Sequence, residues 1–402
     1  MNRFIQEILL GIVVAVLFSA SLYCQYFHIS YKLPNTLFGI AALALLLYIP
    51  RRSILSFGFS VGVLWFYWVG YSFKYQGFEY MQYLVSLGFG IIYLLFFLPL
   101  YFTKKPYIRA LLLFGLSFVT PFSWKWLEPE LLFVHSYIGI YKYQLALLLL
   151  ALVLLKFKKP YRYIVPPLLL LGALNYGYTQ PKEPHLKIKL VATDIPQNEK
   201  WTRKALYPTV SMIFANIDNA IKEHYDLVIF PESVFPLYLN KNQQLLNALQ
   251  ERSKKIAIVV GALLREDEKN YNVSYLFQNG SYQVAKKLVL VPFGEYIPLP
   301  KFAKKFVNET FFNGASDFVT AKKPTDFIIK GVKFRNAICY EATTDDIYAG
   351  GNIKYVIAMS NNAWFAPSIE PTLQKILLEY FAKKEGVIIY HAANYKGSAV
   401  IK

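Results

Sequence analysis

Long, uninterrupted apolar runs fill the first 180 residues, and they constrain this chain more than any other feature of its sequence. A helix that spans a bilayer needs roughly 20 apolar residues. Segments that approach this length lie at about 5–28, 33–50, 53–72, 79–102, 107–124, 137–155 and 161–179. Lys142 falls inside the sixth segment, so its ammonium group must reach the interface. The sequence predicts a membrane domain over residues 1–180 with about seven transmembrane helices.

Basic residues in the connections predict the orientation of these segments. One side carries Arg3, Arg51, Arg52, Lys104, Lys105, Arg109, Lys156, Lys158, Lys159 and Arg162. The other side carries only Lys32, Lys74, Lys125 and Lys142. The positive-inside rule therefore places the N-terminus in the cytoplasm, and seven spans deliver the rest of the chain to the outside face. The first segment is too long for a signal peptide, and no small-residue cleavage site follows it.

The composition agrees with a membrane protein and excludes several other classes. Hydrophobic residues make up 55% of the 402 residues and charged residues 17%, against about 25% charged residues in an average soluble domain. Two cysteines, Cys24 and Cys339, exclude a disulfide framework and a cysteine zinc cluster. A net charge of +18 in such a chain is typical of basic cytoplasmic loops or contact with anionic lipid, not of nucleic-acid binding.

From residue 181 to 402 the apolar runs become short, which is typical of a folded α/β domain. Runs rich in Val, Ile and Tyr predict strands at 187–195, 226–230, 256–264, 273–277, 284–291, 327–338, 355–359 and 387–391. Helical periodicity covers 203–223, 240–254 and 372–385. Strands that alternate with helices predict a layered α/β fold.

Reactive side chains follow three of these predicted strands. Glu232 lies in Pro-Glu-Ser at 231–233, and Cys339 begins Cys-Tyr-Glu at 339–341. Segment 284–291 carries Lys286 and Lys287 and runs into Pro-Phe-Gly-Glu-Tyr at 292–296. A carboxylate can accept a thiol proton, and an ammonium group stabilises both a thiolate and an oxyanion. Taken alone, each stretch also fits a structural role, because a single cysteine at a strand end often packs as a small apolar residue.

Together these stretches resemble the carbon–nitrogen hydrolase, or nitrilase, superfamily, whose members carry Glu, Lys and Cys in this order. The closer resemblance is to the bacterial apolipoprotein N-acyltransferase family. That family joins a multi-pass α-helical membrane domain to an extracytoplasmic nitrilase-like αββα sandwich, which here would cover residues 181–402. Further matching stretches are Asp-Ile-Pro-Gln at 194–197 with Trp201, Leu-Val-Pro-Phe-Gly-Glu-Tyr at 290–296 and Ser-Asn-Asn-Ala-Trp-Phe at 360–365.

The resemblance implies a role for each matching residue. Cys339 would be the acylated nucleophile, Glu232 the general base and Lys287 the triad lysine, with Lys286 as the fallback. Glu295 would join the catalytic set, and the supporting or substrate-binding residues would be Tyr340, Glu341, Trp201 and Trp364. Structural readings stay open: a salt bridge for Glu295, a core aromatic for Tyr340 and packing for Trp201.

The resemblance also implies acyl transfer without a metal or cofactor. A phospholipid, expected to be phosphatidylethanolamine, would acylate Cys339, and the α-amino group of a diacylglyceryl-cysteine on an apolipoprotein would accept the acyl chain. The enzyme would lie in the bacterial inner membrane with its catalytic domain in the periplasm. Residues 296–306, with Phe311 and Phe312, combine apolar bulk with lysines, which leads to the hypothesis of a lid that excludes water.

Two departures from the family pattern and three other functions stay open. Asn362 and Ala366 stand where the family has Asp and Gly, and the family has a final span where this sequence stops at Lys402. The other functions are a membrane-anchored amidase that hydrolyses a small amide, an inactive nitrilase-like scaffold and a transporter. Retention of the triad argues against the scaffold and the spans argue against the amidase. A transporter would need charged residues or interrupted helices near the middle of the membrane. Within the predicted spans, Lys142 is the only such charge.

Overall fold

The computed structural model describes residues 2–121, 124–156, 160–292, 294–296 and 318–402. It divides the chain into two compact units. The first unit comprises Met1–Tyr178 and Ser368–Tyr380, and the second comprises Thr179–Pro367 and Phe381–Lys402. Each unit is described in turn.

An α-helix lies at each of the predicted apolar segments of the first unit. The helices are α1 (Arg3–Tyr26), α2 (Lys32–Tyr48), α3 (Arg51–Phe66), α4 (Met81–Phe97), α5 (Pro106–Leu116), α6 (Lys142–Leu154) and α7 (Val165–Gly172). Helices α3 and α4 continue as 3-10 helices, Tyr67–Gln76 and Leu98–Phe102. Among the described residues, three stretches are long and apolar enough to cross a membrane: Arg3–Tyr26, Arg51–Tyr75 and Met81–Phe102. Helices α2, α5 and α6 are shorter apolar helices.

The last three helices are shorter than the apolar segments that predicted them. Helix α7 begins at Val165, because proline is tolerated only in the first turn of a helix and two prolines occupy that turn. Helix α6 begins at Lys142 and not at residue 137, since Ile138 forms an isolated β-bridge with Leu174. Lys142 Nζ lies 2.9 Å from Glu130 Oε1. The ammonium group is therefore paired at the start of the helix instead of lying inside an apolar run.

Close packing of α3 on α4 depends on two glycines spaced four residues apart. A Cβ atom at Gly62 would lie 2.3 Å from the carbonyl oxygen of Phe89, and one at Gly58 would lie 2.7 Å from that of Tyr93. Any larger residue would push the helices apart. This is the small-residue spacing by which helices approach closely in a bilayer, where apolar burial alone gives little drive to association.

Two mixed five-stranded sheets form the body of the second unit. The strands are β1 (Ile188–Leu190), β2 (Leu227–Ile229), β3 (Ala257–Glu266), β4 (Lys269–Gln278), β5 (Ser281–Lys286), β6 (Asp326–Ile329), β7 (Val332–Ile338), β8 (Tyr355–Asn361), β9 (Ile388–Asn394) and β10 (Ala399–Ile401). The sheet orders are β1-β2-β3-β4-β5 and β10-β9-β8-β7-β6. Strands β1 to β3 pair in parallel, as do β7 to β9, and all other pairs are antiparallel.

Alternation of side chains along the strands produces the layers of this unit. One apolar core joins the two sheets and includes Ile229, Val259, Phe334, Ile338, Ile357 and Met359. A second core joins the opposite face of the first sheet to helices α9 (Arg203–Lys222) and α10 (Gln243–Ser253). The described residues also form α8 (Gln197–Lys200) and α11 (Asp345–Tyr348) in this unit, and α12 (Glu370–Glu385), whose residues up to Tyr380 belong to the first unit. The predicted layered α/β class is confirmed.

All of the predicted strands have other bounds in the structure, and the run 187–195 forms only β1, Ile188–Leu190. The run 327–338 is a hairpin of β6 and β7, because Lys330 and Gly331 have positive φ angles of 46° and 79°, as tight two-residue turns require. The run 284–291 stops being a strand at Lys286. Lys287 therefore begins the following loop.

Candidate active site

The predicted reactive residues lie just beyond the carboxyl ends of strands from both sheets. Glu232 follows β2, Cys339 directly follows β7, and Lys287 directly follows β5. Strands β2 and β7 each pair in parallel with a neighbour, and carboxyl ends of parallel strands are where open sheets place their sites. The two packed sheets thus present the motif residues of distant chain segments to one another.

Cys339 occupies a sharp turn from β7 into the 3-10 helix Cys339–Thr343. Its φ angle is 55°, a left-handed conformation that L-residues rarely adopt and that persists only where surrounding contacts hold it. One such contact is the hydrogen bond of 2.6 Å from the Ile338 N–H to Glu341 Oε1. The side chain of Cys339 is only partly buried, so the turn presents its thiol at the edge of the core.

Glu341 ties this turn to the segment after Lys287. Its second oxygen, Oε2, accepts hydrogen bonds from the N–H groups of Leu288 at 2.7 Å and Val289 at 3.1 Å. Complete burial raises the pKa of Glu341 to about 7, although Lys287 and the three N–H donors act in the opposite direction. A single carboxyl group therefore sets the position of the cysteine turn relative to the lysine segment.

The carboxylate of Glu232 is buried and held from two sides. Oε1 accepts a hydrogen bond from Asn272 Nδ2 at 2.8 Å, and Oε2 accepts one from the Asn361 N–H at 3.0 Å. Strand β3 approaches this segment closely at Gly261, where a Cβ atom would lie 2.4 Å from Ser233 N and 2.8 Å from Glu232 Cα. Only glycine at that position leaves the segment in place, and the two donors then orient both oxygens.

Lys287 is completely buried between two carboxylates. Its Nζ lies 2.7 Å from Glu295 Oε2 and 3.6 Å from Glu232 Oε1. Burial alone lowers the pKa of Lys287, but the negative charges of Glu295, Glu232 and Cys339 outweigh it and hold the pKa above its ordinary value. Lys287 thus remains an ammonium group that interacts electrostatically with Cys339 as well.

Three polar residues that the motifs did not single out complete the cluster. Asn272 in β4 also donates to Glu295 Oε1 at 3.0 Å, so one amide bridges both carboxylates. Asn361 is the last residue of β8. Lys200, the last residue of α8, donates to the carbonyl oxygen of Glu232 at 3.1 Å. The sequence signals for these residues were weak. Asn272 is a polar residue in an apolar strand, Asn361 lies inside the family stretch 360–365, and Lys200 lies beside the stretch 194–197.

The other predicted residues differ in how close they come to this cluster. Tyr340 is buried, and Trp364 lies in the 3-10 helix Asn362–Phe365, with Nε1 3.3 Å from the Asn361 amide. Trp201 is 46% exposed and is therefore not buried with the cluster. Lys286 forms an ion pair with Glu266 and lies over the Tyr271 ring at 4.0 Å. Lys287, and not the fallback Lys286, therefore joins the carboxylates.

The proposed lid lies largely outside the described residues. The described segments end at 296 and resume at 318, so Phe302, Phe306, Phe311 and Phe312 belong to the part that is not described. Phe293 of the Pro-Phe-Gly-Glu stretch falls there too. The lid remains a hypothesis from the sequence.

Both halves of the chain match models of known protein families. The family model for the apolipoprotein N-acyltransferase integral membrane domain matches residues 5–176, and that for carbon–nitrogen hydrolase matches residues 191–398. An apolipoprotein N-acyltransferase of Wolinella succinogenes is 44% identical over 390 residues, which cover 96% of this chain and 94% of the relative. The chain belongs to the apolipoprotein N-acyltransferase family. A relative of the same name from Helicobacter pylori is 38% identical over 96% of this chain and 94% of its own length.

Membership of the apolipoprotein N-acyltransferase family confirms the predicted resemblance and the predicted class of enzyme. The chain is an acyltransferase of the carbon–nitrogen hydrolase superfamily with an integral membrane domain. Among solved structures, a carbon–nitrogen hydrolase superfamily protein from Xanthomonas campestris matches with a TM-score of 0.39 and 15% identity. That match covers 52% of this chain and 76% of the other.

Proposed function

We propose that this enzyme moves an acyl chain from a phospholipid, through a thioester on Cys339, to the α-amino group of diacylglyceryl-cysteine on apolipoproteins. The shared name of the full-length relatives supports lipoprotein N-acylation. The observation that carries the assignment of the site is the buried group of Glu232, Lys287 and Glu295 at the Cys339 turn. An amidase that hydrolyses a small amide fits a full-length match to this family less well.

In the first step Glu232 removes the proton from the Cys339 thiol. The thiolate sulfur attacks the ester carbonyl carbon, a carbon–sulfur bond forms, and the carbonyl electron pair moves onto the oxygen. The ammonium group of Lys287 stabilises this oxyanion. When the oxyanion collapses, the bond to the lysophospholipid oxygen breaks, and that oxygen takes the proton from Glu232. The products are a thioester and a lysophospholipid.

In the second step the α-amino nitrogen of the acceptor attacks the thioester carbonyl carbon. Glu232 accepts the proton that the nitrogen loses, and Lys287 again stabilises the oxyanion. Collapse breaks the carbon–sulfur bond and leaves an amide, while the thiolate recovers the proton from Glu232. The two steps use one base because both begin by removing a proton from the attacking atom. The hydrogen bonds from Asn272 and Asn361 keep that base oriented in both steps.

Intact mass of the purified enzyme after incubation with phosphatidylethanolamine vesicles tests the thioester. We expect a gain of one acyl mass that hydroxylamine removes, and no gain in Cys339→Ala. Cys24→Ala is the matched control and should acylate normally, since Cys24 lies in α1 of the other unit. A folded enzyme that gains no mass contradicts the proposal, as does an adduct that persists in Cys339→Ala.

A second experiment tests the acceptor with the acylated enzyme. Addition of a diacylglyceryl-cysteine peptide should discharge the adduct and yield a triacylated peptide with an amide-linked acyl chain. Release of free fatty acid at the same rate with or without the peptide would instead make water the acceptor and favour the amidase.

We further propose that the catalytic unit lies in the periplasm, which cysteine accessibility can test. Glu268 is exposed in the turn between β3 and β4, and Arg52 is exposed in the first turn of α3. In spheroplasts, with Cys24 and Cys339 both replaced by alanine, a membrane-impermeant maleimide should label Glu268→Cys but not Arg52→Cys until the membrane is permeabilised. The opposite pattern would contradict the orientation.

A further inference from the structure

Lys200 is a second buried ammonium group in the cluster, and it lacks the carboxylate partners that Lys287 has. It is 1% exposed, and its Nζ donates to the main-chain oxygen of Glu232 at 3.1 Å. The Asn361 amide lies 3.1 Å from Nζ and accepts from it when its oxygen is turned toward Lys200. Within the described part of the chain, Lys200 forms no salt bridge with a carboxylate. A buried cation held only by neutral oxygens calls for a compensating anion.

The charges around Cys339 indicate that this anion is the Cys339 thiolate. Glu232 and Glu295 surround the single ammonium group of Lys287, so these three groups together carry one net negative charge. Moving the thiol proton to Glu232 leaves that net charge unchanged but places it on the sulfur, and a buried net charge is costly without a counter-ion. Glu341 is a further buried carboxyl that bonds to three N–H groups. A Cys339 thiolate therefore needs a cation beyond Lys287.

Lys200 is placed to supply that cation. Its charge interacts with both Glu232 and Cys339. Burial lowers the pKa of Lys200 to about 8, while Glu232 and Cys339 act in the opposite direction, so Lys200 is still charged at neutral pH. His391, which is also buried and lies in β9, is bonded to the Gly397 oxygen and Ser360 Oγ, and burial lowers its pKa to about 4. It is neutral at pH 7 and cannot replace Lys200.

We propose that Lys200 is a positioning residue whose ammonium group balances the Glu232–Lys287–Glu295 charges and so stabilises the Cys339 thiolate. The inference rests on the proposed role of Cys339 as nucleophile. When the thiol ionises, its proton moves from Sγ to the Glu232 carboxylate, and Lys200 keeps all of its own protons. Lys287 then serves the oxyanion of the substrate, whereas Lys200 serves the thiolate of the enzyme.

The pH dependence of Cys339 alkylation by iodoacetamide tests this role without any lipid substrate. The full-length enzyme is used in a Cys24→Ala background, so that the reaction reports on one thiol. Lys200→Gln keeps a hydrogen-bond donor but removes the charge, and Lys200→Arg keeps the charge. We expect Lys200→Gln to react about tenfold more slowly at pH 7 with an unchanged limiting rate at high pH, because only the thiol pKa rises. Lys200→Arg should stay within about threefold of the parent.

The outcomes separate the charge of Lys200 from its packing and from the nucleophile assignment. A Lys200→Gln profile that superimposes on the parent profile overturns the inference, as does an equal loss in Lys200→Arg. If only Lys200→Arg folds, it decides alone: a guanidinium does not titrate here, so a thiol pKa above that of the parent overturns the proposal. A parent Cys339 that alkylates no faster than a free thiol at pH 7 contradicts the nucleophile assignment instead.

Discussion

Arg109 in the membrane unit and Lys287 in the catalytic unit are both buried cations, and their partners are of different kinds. In the membrane unit, Arg109 donates to five main-chain oxygens, those of Leu46, Leu47, Ile49, Leu100 and Thr103, at 2.6 to 3.4 Å. In the catalytic unit, the partners of Lys287 are two carboxylates. Carbonyl groups at the end of a helix offer partial negative charge that cannot take a proton. Carboxylates can accept a proton, so the carboxylate partners of Lys287 can take part in proton transfer as well as hold the lysine in place.

Removing the proton acceptor tests this difference with the largest expected effect. Glu232→Gln keeps the size of the side chain but can no longer accept the thiol proton. We expect acyl transfer to fall by about 10³-fold, within the range for loss of a general base. Single-turnover formation of the acyl-enzyme measures the loss. Thermal unfolding and alkylation of Cys339 at high pH are the controls; activity within tenfold of the parent would mean that another group takes the proton.

Removing the membrane-unit cation should affect stability and leave chemistry alone. Arg109→Met leaves carbonyl groups at the end of α2 without their donor, and we expect a loss of about 3 kcal/mol in the free energy of unfolding. Arg109→Lys, which keeps the charge but reaches fewer oxygens, should lose less. Unfolding by a denaturing detergent measures both. A lower acylation rate in the fraction that remains folded would contradict the separation of roles.

A buried neutral side chain in the catalytic unit predicts an acid-sensitive stability. Burial lowers the pKa of His391 to about 4, below the value of about 6.5 in an unfolded chain. Protonation therefore favours unfolding, and the contribution of His391 is complete above pH 6.5 and declines as the pH falls toward 4. By pH 5 the loss reaches about 2 kcal/mol.

His391→Gln removes the titration but can still donate to Gly397 O and accept from Ser360 Oγ. Its melting temperature should fall less steeply than that of the parent between pH 6.5 and 5. Equal slopes would show that other groups dominate in that range.

The smallest effect is expected at Lys286, the neighbour of Lys287. Its partner Glu266 is half exposed, and exposed ion pairs contribute about 0 to 1 kcal/mol. Lys286→Gln should therefore acylate within twofold of the parent, whereas Lys287→Gln should lose activity as severely as Glu232→Gln. Similar losses at both positions would remove the distinction between them.

The sequence predicted which lysine joins the carboxylates, but not the second buried cation. The resemblance to the family selects Lys287 over Lys286, because Lys287 lies eight residues before Glu295, which is the spacing of that family. Lys200 follows Gln-Asn-Glu at 197–199, which has the local composition of an exposed turn. Residues distant in the sequence, including Glu232 and Asn361, surround it in the fold. Local composition does not predict contacts between residues that are distant in the sequence.

The fold, too, was predictable where neighbouring residues in the sequence determine the structure, and less so elsewhere. Apolar runs located the helices α1 to α7, but they overestimated the length of α5, which ends at Leu116 although apolar residues continue beyond it. Hydropathy counts side chains and does not register where the main chain turns. The hairpin at Lys330 and Gly331 had a local turn signal in the glycine, and β10 is too short for a periodic pattern.

The hydrogen bonds that Glu341 accepts from the segment after Lys287 affect how far the chain between them can change in length. Its hydrogen bonds to the N–H groups of Leu288 and Val289 join points 53 and 52 residues apart in the chain. The closure entropy of such a loop grows slowly, by about 0.6 kcal/mol for each doubling of its length. A change in the length of the segment between Glu295 and β6 therefore costs little closure entropy, and Cys339 and Lys287 keep their relative positions.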